Sequence, residues 1–301
     1  MAEPLSFQRY LLAKRALDDR SLNPHVWGHM AEWAAARDGL RVFEPGGGLG
    51  TMFQRLAEHG LLRMSEYTLL DADEANIAAA RLLLPEWAAS RGLACAIEAD
   101  RLVFRGAGTD GRLELLTADM AAYLAAHPER KWDLIVAHAF LDLLDVPAAL
   151  AGFKAALRPG GKMLLTLNFD GLTAFAPELD PALDAKIIEL YHRTMDEREG
   201  SASGGSLTGR RLFSWLREAG LRIVDAGSSD WLVFAKDGVY PADEAYFLTH
   251  ILSFFRQSLH GHPDLAPEVL DAWLSARREQ IERGELVFMA HQYDFLVEAD
   301  E

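Results

Sequence analysis

The tightest constraint on how this chain folds is the stretch Arg41-Val-Phe-Glu-Pro-Gly-Gly-Gly-Leu-Gly50, where an apolar run stops at an acid and gives four glycines in five positions. It reads as a strand entering a tight turn, and Met52, Phe53 and Leu56 beyond it fall at helical spacing. Strand, glycine turn and helix make a nucleotide-cradling unit, because glycine permits positive φ and lets a ligand approach backbone that carries no Cβ. The glycines at 46, 48 and 50 follow Glu44 as E-x-G-x-G-x-G. The dinucleotide register G-x-G-x-x-G fails, since Thr51 or Phe53 stands where its third glycine belongs, and no Gly-Lys-Ser/Thr of a phosphate loop follows.

The spacing that is present resembles motif I of the class I S-adenosylmethionine-dependent methyltransferases. That resemblance implies that Gly46, Gly47, Gly48 and Gly50 pass under the adenosyl and methionine portions of S-adenosyl-L-methionine, with Glu44 facing the methionine amino group. Tyr67–Asp73 resembles motif II and implies Asp71 at the ribose hydroxyls with Ala72 beside the ribose edge; alternatively Asp71 or Asp73 caps the helix that starts at Glu74. Leu113–Met120 resembles motif III, implying Asp119 at the adenine amino group and Met120 beside the ring, while an N-cap for the helix at 120–126 is the other reading of Asp119. Trp132–Asp142 resembles motif IV, whose end, Ala137-His138-Ala139-Phe140, would face the sulfonium. His138 is then either a general base or a pocket-shaping residue. This segment departs from the Asn/Asp-Pro-Pro-Tyr pattern of enzymes that methylate base or glutamine nitrogens. Leu157-Arg-Pro-Gly-Gly-Lys162, ahead of an apolar run to Asn168, is also similar to the family, and through Asn168 the resemblance covers about half the chain.

The implied fold is α/β: a doubly wound, mostly parallel seven-stranded sheet with helices on both faces, an N-terminal helical arm (1–38) and two helical insertions. Residues 39–168 would form the cofactor-binding half, 169–210 a loop and helix on the substrate side, and 211–301 the rest of the sheet with an insertion at 240–284. Two amphipathic helices are expected at 6–20 and 25–37, joined by a polar link at 18–23, and another at 76–92 broken near Pro85. The glycines of Arg158–Gly161 are read as a reversal into the fifth strand, 169–173 as loop, and Gly200–Ser206 as a lid hinge. Tyr191 and His192 join His138 as candidate catalytic groups, and Tyr10, Arg20, Asn168 and Arg210 are the substrate-side candidates. His192 with Asp196, and His260 with His262, are read as a surface pair and a turn, so no metal is expected.

A formal net charge of -15 argues against a nucleic-acid partner. Cys95 is the sole cysteine, which excludes an internal disulfide and fits a reducing cytoplasm. No run of 18 apolar residues predicts a membrane span. The expected function is direct in-line methyl transfer from S-adenosyl-L-methionine to an O, N, S or C nucleophile on a small-molecule acceptor. The alternative is a non-catalytic module of the same fold that binds the cofactor or another protein. Oligomeric state is left open, a homodimer included.

Overall fold

Val42 and Phe43 point to opposite faces of one strand and both are buried, so β1 (Arg41–Pro45) needs cover on both sides, as a central strand of a parallel sheet does. In this computed structural model, which describes residues 5–106, 108–197 and 204–299, helices supply it. Before β1 come α1 (Phe7–Ala13), α2 (Arg15–Ser21) and α3 (Pro24–Ala35). The expected first helix is thus divided at Lys14, and its polar link lies partly in the interior, Asp18 and Ser21 being buried.

The chain continues through α4 (Thr51–Glu58), β2 (Ser65–Asp71) and α5 (Glu74–Ser90). Pro85 lies inside α5 without breaking it; burial of Leu84, Trp87 and Ala88 offsets the hydrogen bond that proline cannot donate. An antiparallel meander of β3 (Ala94–Glu98), β4 (Arg101–Gly106) and β5 (Thr109–Thr117) precedes α6 (Met120–Ala126), β6 (Trp132–His138), α7 (Val146–Ala156) and β7 (Leu157–Ala176). Then come α8 (Pro181–Asp196), α9 (Thr208–Glu218), β8 (Leu221–Ser228), β9 (Trp231–Val233), α10 (Glu244–Leu259), α11 (Pro267–Glu282) and β10 (Val287–Ala299).

Strand order is β3-β4-β5-β2-β1-β6-β7-β10-β8, with β9 on β10. The seven expected strands are the run from β5 to β8; β3 and β4 extend one edge, and β9 brings the sheet to ten. β5, β2, β1, β6 and β7 pair in parallel, and β10 runs antiparallel to both β7 and β8. Arg158–Gly161 is not a reversal outside the sheet but part of β7, where the register jumps between Trp132↔Leu157 and Leu134↔Lys162. Residues 169–173, expected as loop, belong with 174–176 to β7 because β10 pairs with them, Gln292 facing Phe169 and Phe288 facing Phe175. Of the expected hinge, residues 200–203 lie outside the described residues, whereas Gly205–Leu207 is a 3-10 turn with Gly205 and Ser206 buried.

Three apolar clusters result. One packs α3, α4 and α5 on the Val42 face, a second packs α6, α7 and α9 on the Phe43 face, and a third joins α1, α8, α10 and α11 over the far end of β7 and β10. Among the described residues no helix is long and apolar enough to cross a membrane.

Candidate active site

β1 delivers Glu44 and Pro45 to the glycine loop, where Gly46, Gly48 and Gly50 have φ of 67°, 53° and 77°, values that favour glycine. Gly47 donates its N–H to Leu70 O at 3.1 Å, tying the loop to β2. The Phe140 ring sits against the loop: a methyl on Gly46 would lie 2.3 Å from it, and one on Gly48 would lie 3.2 Å from Leu11 of α1. Below the loop Glu44 is buried and accepts the Tyr67 hydroxyl at 2.7 Å. Burial pushes its carboxyl up to about 8, against the Tyr67 hydrogen bond and the Arg55 charge.

Asp71 ends β2 with its carboxylate turned to the loop. Its Oδ2 accepts the Gly48 N–H at 2.8 Å, and its Oδ1 accepts from Asp73 N at 2.9 Å and Asn76 Nδ2 at 3.3 Å. Asp73, not Asp71, caps α5. Ala72 is exposed between them. Asp119 caps α6 through Ala122 N at 2.8 Å, with Met120 buried behind it.

Ala137 is buried at the end of β6, and His138 follows it into a buried polar group. The ring places Nε2 3.2 Å from Asp18 Oδ2 and Nδ1 2.8 Å from Thr166 Oγ1. Asp18 also receives Lys14 Nζ at 2.5 Å and Trp231 Nε1 at 2.9 Å. Although burial opposes ionisation, Lys14 and His138 hold the Asp18 carboxyl well below the usual carboxylate range. Burial outweighs the Asp18 attraction at His138 and lowers it to about 4. At neutral pH the imidazole is therefore uncharged, its Nε2–H donating to Asp18 and its Nδ1 accepting the Thr166 hydroxyl.

A cavity of about 470 Å³ opens beside this group at the carboxyl ends of β6 and β7, where ligands gather in open α/β sheets. Leu11, Lys14, Ala139 and Leu167 line it on the side of the glycine loop. Ala139 and Leu167 carry φ of 50° and 56°, costly for residues with a Cβ and held by surrounding bonds: Ala139 N to Thr166 O at 2.8 Å, and Leu167 N to the buried Asp294 at 2.7 Å. Tyr10 and Tyr191 line the cavity, Tyr191 stacked on Phe255 at 3.9 Å. His192 stands behind the wall, its Nε2 3.0 Å from the hydroxyl of the lining residue Thr173; burial lowers its pKa.

The other substrate-side candidates stand elsewhere. Arg20 grips the buried Glu244, one of its two contacts measuring 2.9 Å; Asn168 donates to Tyr293 O at 2.9 Å; and Arg210 pairs with Asp170 at 2.8 Å while its own side chain is exposed. Sequence reasoning missed Lys14, Asp18 and Thr166. The available signal was Tyr10, Lys14, Leu17 and Asp18, which share one helix face and put an ion pair on an apolar stripe.

Doubly wound topology, a glycine loop closing β1, an acid at the tip of β2 and a cavity at the ends of β6 and β7 define a nucleotide-cofactor α/β protein. Residues 28–226, about two thirds of the chain, match the family described as a methyltransferase domain, and the chain belongs to that family. No curated protein matches it. Among solved structures it is similar to a SAM-dependent methyltransferase from Thiobacillus denitrificans in complex with S-adenosyl-L-homocysteine, at 16% identity over 100% of both chains with a TM-score of 0.47. It is also similar to a SAM-dependent methyltransferase from Geobacter sulfurreducens, likewise in complex with S-adenosyl-L-homocysteine, at 13% identity over 99% of this chain and 100% of that one, TM-score 0.47. YjhP from E. coli is similar at 15% identity over 97% and 99%, TM-score 0.48.

Proposed function

We propose that the protein transfers a methyl group from S-adenosyl-L-methionine to a small-molecule acceptor held in the cavity. The observation that carries this is a shared wall. Leu11 both covers Gly48 and lines the cavity, and Ala139 lines the cavity while its neighbour Phe140 covers Gly46. A cofactor on the loop and an acceptor in the cavity would thus meet across one layer of side chains.

The residues present fit the cofactor. Gly46 and Gly48 hold positive φ, and the space a Cβ would enter there is taken by the side chains of Phe140 and Leu11 rather than by backbone; Glu44 offers a carboxyl to an ammonium, and Asp71, whose two oxygens accept three N–H bonds, keeps a lone pair for a ribose hydroxyl. Phe140 and Leu11 lie on the face of the loop that the ligand would use, so they must shift for it to enter. When bound, S-adenosyl-L-methionine supplies an electrophilic methyl on a sulfonium. The chain's task is then to align the acceptor and exclude water, which the aromatic cover over the cavity favours. A base is needed only for an acceptor that arrives protonated. Because His138 spends both ring nitrogens on Asp18 and Thr166, direct proton uptake by it would require one of those bonds to open; Tyr191, and His192 through Thr173, stand nearer the acceptor space.

Titration calorimetry with S-adenosyl-L-homocysteine tests the reading. Micromolar binding is expected, weakened about tenfold or more by Asp71→Ala and by Gly46→Arg, in variants whose circular dichroism matches the parent. Unchanged binding in both would sink the assignment.

A further inference from the structure

Aromatic rings from five elements wall the cavity: Phe7 and Tyr10 of α1, Phe169 of β7, Tyr191 of α8, Trp231 of β9 and Phe254 of α10. These rings are held by other rings, Phe255 and Tyr10 within the wall and the buried Phe247 behind it. Tyr191 stacks on Phe255 at 3.9 Å, Trp231 meets Phe247 edge-on at 5.3 Å, and Phe254 meets Tyr10 edge-on at 5.3 Å. A braced aromatic wall suits a rigid ring, which stacks on it with little loss of conformational freedom, better than an open chain, which must be ordered along it.

The charges narrow the class further. Among the described lining residues Lys14 is the one Lys or Arg and Asp142 the one acid, so nothing there matches the several charges of a phosphorylated acceptor. Its ammonium carries three N–H donors, and Asp18 takes one at 2.5 Å. Asp18 in turn is fixed by His138 and by the Trp231 indole N–H, so the ammonium is anchored at a set position. Lys14 lies one helical turn after Leu11, and its ammonium is held on Asp18 beside His138 at the tip of β6, the strand next to β1, so the anchored cation stands by the strand ends that the cavity opens over.

We infer that the acceptor is a hydrophobic, flat ring compound carrying one phenol-like oxygen, seated with its rings along the aromatic wall and that oxygen toward Lys14. This rests on the methyltransferase reading for the word acceptor; occupancy of the cavity by such a molecule does not.

The test titrates the full chain, with and without saturating S-adenosyl-L-homocysteine, with 2-naphthol, decanoate and choline as probes of ring, chain and cation. Ser258 is exposed and borders the cavity, so Ser258→Trp plugs it without touching the core. Lys14→Met is the second variant. The expected result is micromolar binding of 2-naphthol, tighter than that of decanoate or choline, weakened about tenfold or more by Ser258→Trp, with S-adenosyl-L-homocysteine binding unchanged. Where Lys14→Met folds, its 2-naphthol affinity falls as well. If S-adenosyl-L-homocysteine binds and 2-naphthol does not, or decanoate or choline outcompetes it at a site sensitive to Ser258→Trp, the ring assignment is overturned and the methyltransferase reading stands. If 2-naphthol binds at the plug-sensitive site and S-adenosyl-L-homocysteine does not bind, the cavity assignment stands and the methyltransferase reading falls. Failure of both ligands overturns both.

Discussion

Two buried acids answer burial in opposite ways, and the difference lies in their immediate partners. Glu44 has the Tyr67 hydroxyl and a more distant Arg55, and is held protonated up to about 8; Asp18 has the Lys14 ammonium in contact and stays ionised. A carboxyl whose folded pKa is raised binds a proton that the unfolded chain releases, so its stabilising contribution is complete below about 4.5 and is lost as pH rises toward 8. Glu44 therefore adds a slope of up to about 1.4 kcal/mol per pH unit over that window. Asp294, raised by burial to about 6, acts with the same sign at lower pH, so the comparison belongs above pH 6.5. Urea unfolding of Glu44→Gln between pH 6.5 and 8.5 should show a shallower fall than the parent; equal slopes would mean that Glu44 is already ionised. His138, lowered to about 4, works the other way, its contribution being present above 6.5 and lost as pH falls through 4. For Asp18 the expectation is a large single-site loss. Lys14→Met strands a carboxylate in the core at a cost of roughly 3–5 kcal/mol, and Lys14→Met with Asp18→Asn should recover part of it in the same unfolding measurement.

Between elements, the helical cover is pinned by a second buried ion pair. Arg277 of α11, fully buried, reaches Asp184 of α8 at 2.7 Å, the Pro177 carbonyl at 2.7 Å and Gln280 at 2.8 Å; Trp273 donates to the same carboxylate at 2.6 Å. Arg277→Leu should destabilise by roughly 3–5 kcal/mol by leaving Asp184 short of its cation, and Arg277→Lys should rescue little, because a point ammonium does not span three acceptors in one plane. A loss below 1 kcal/mol in thermal unfolding would contradict this. Elements like these mark where the sequence was legible. β1, β2 and β5 could be read because each apolar run ends at or just before an acid or a glycine turn, β6 because an unbroken apolar run follows Asp133, and α10 and α11 because their apolar spacing is helical. The far half of β7 could not, since Asp170 and Gly171 look like loop and the partner that makes them strand, β10, lies far along the chain. Around the candidate site, the glycine turn was legible from its spacing, and Glu44 and Asp71 were picked out by the resemblance of their strands to the family's motifs; the structure sets both acids beside that turn. The Lys14–Asp18 pair was not, because an i,i+4 pair has the same spacing whether it faces water or, as here, His138.

At the scale of the whole molecule the N-terminal arm couples the glycine loop to the acceptor side. Gln8 donates to Asn76 beside Asp71, Arg15 pairs with Glu58 of α4 at 2.9 Å, and Arg9 pairs with Asp243 ahead of α10 at 3.2 Å. A ligand on the loop would press on Leu11 and Phe140, and hence on contacts that reach both the α4–α5 face and the α10 cover. Binding to the folded chain alone stabilises it by about 2.7 kcal/mol at a ligand concentration a hundred times Kd, which for a chain of this size raises Tm by roughly 4–8 °C. S-adenosyl-L-homocysteine should produce that shift in the parent and in Ser258→Trp. It should not do so in Gly46→Val, where a branched side chain both resists φ of 67° and meets Phe140. Hydrogen exchange adds the spatial half of the prediction: with ligand, amides of α1 and α2 should exchange more slowly along with those of the loop. Protection confined to residues 44–50 would show that the arm is fixed cover, with the ligand entering between the loop and Phe140 alone.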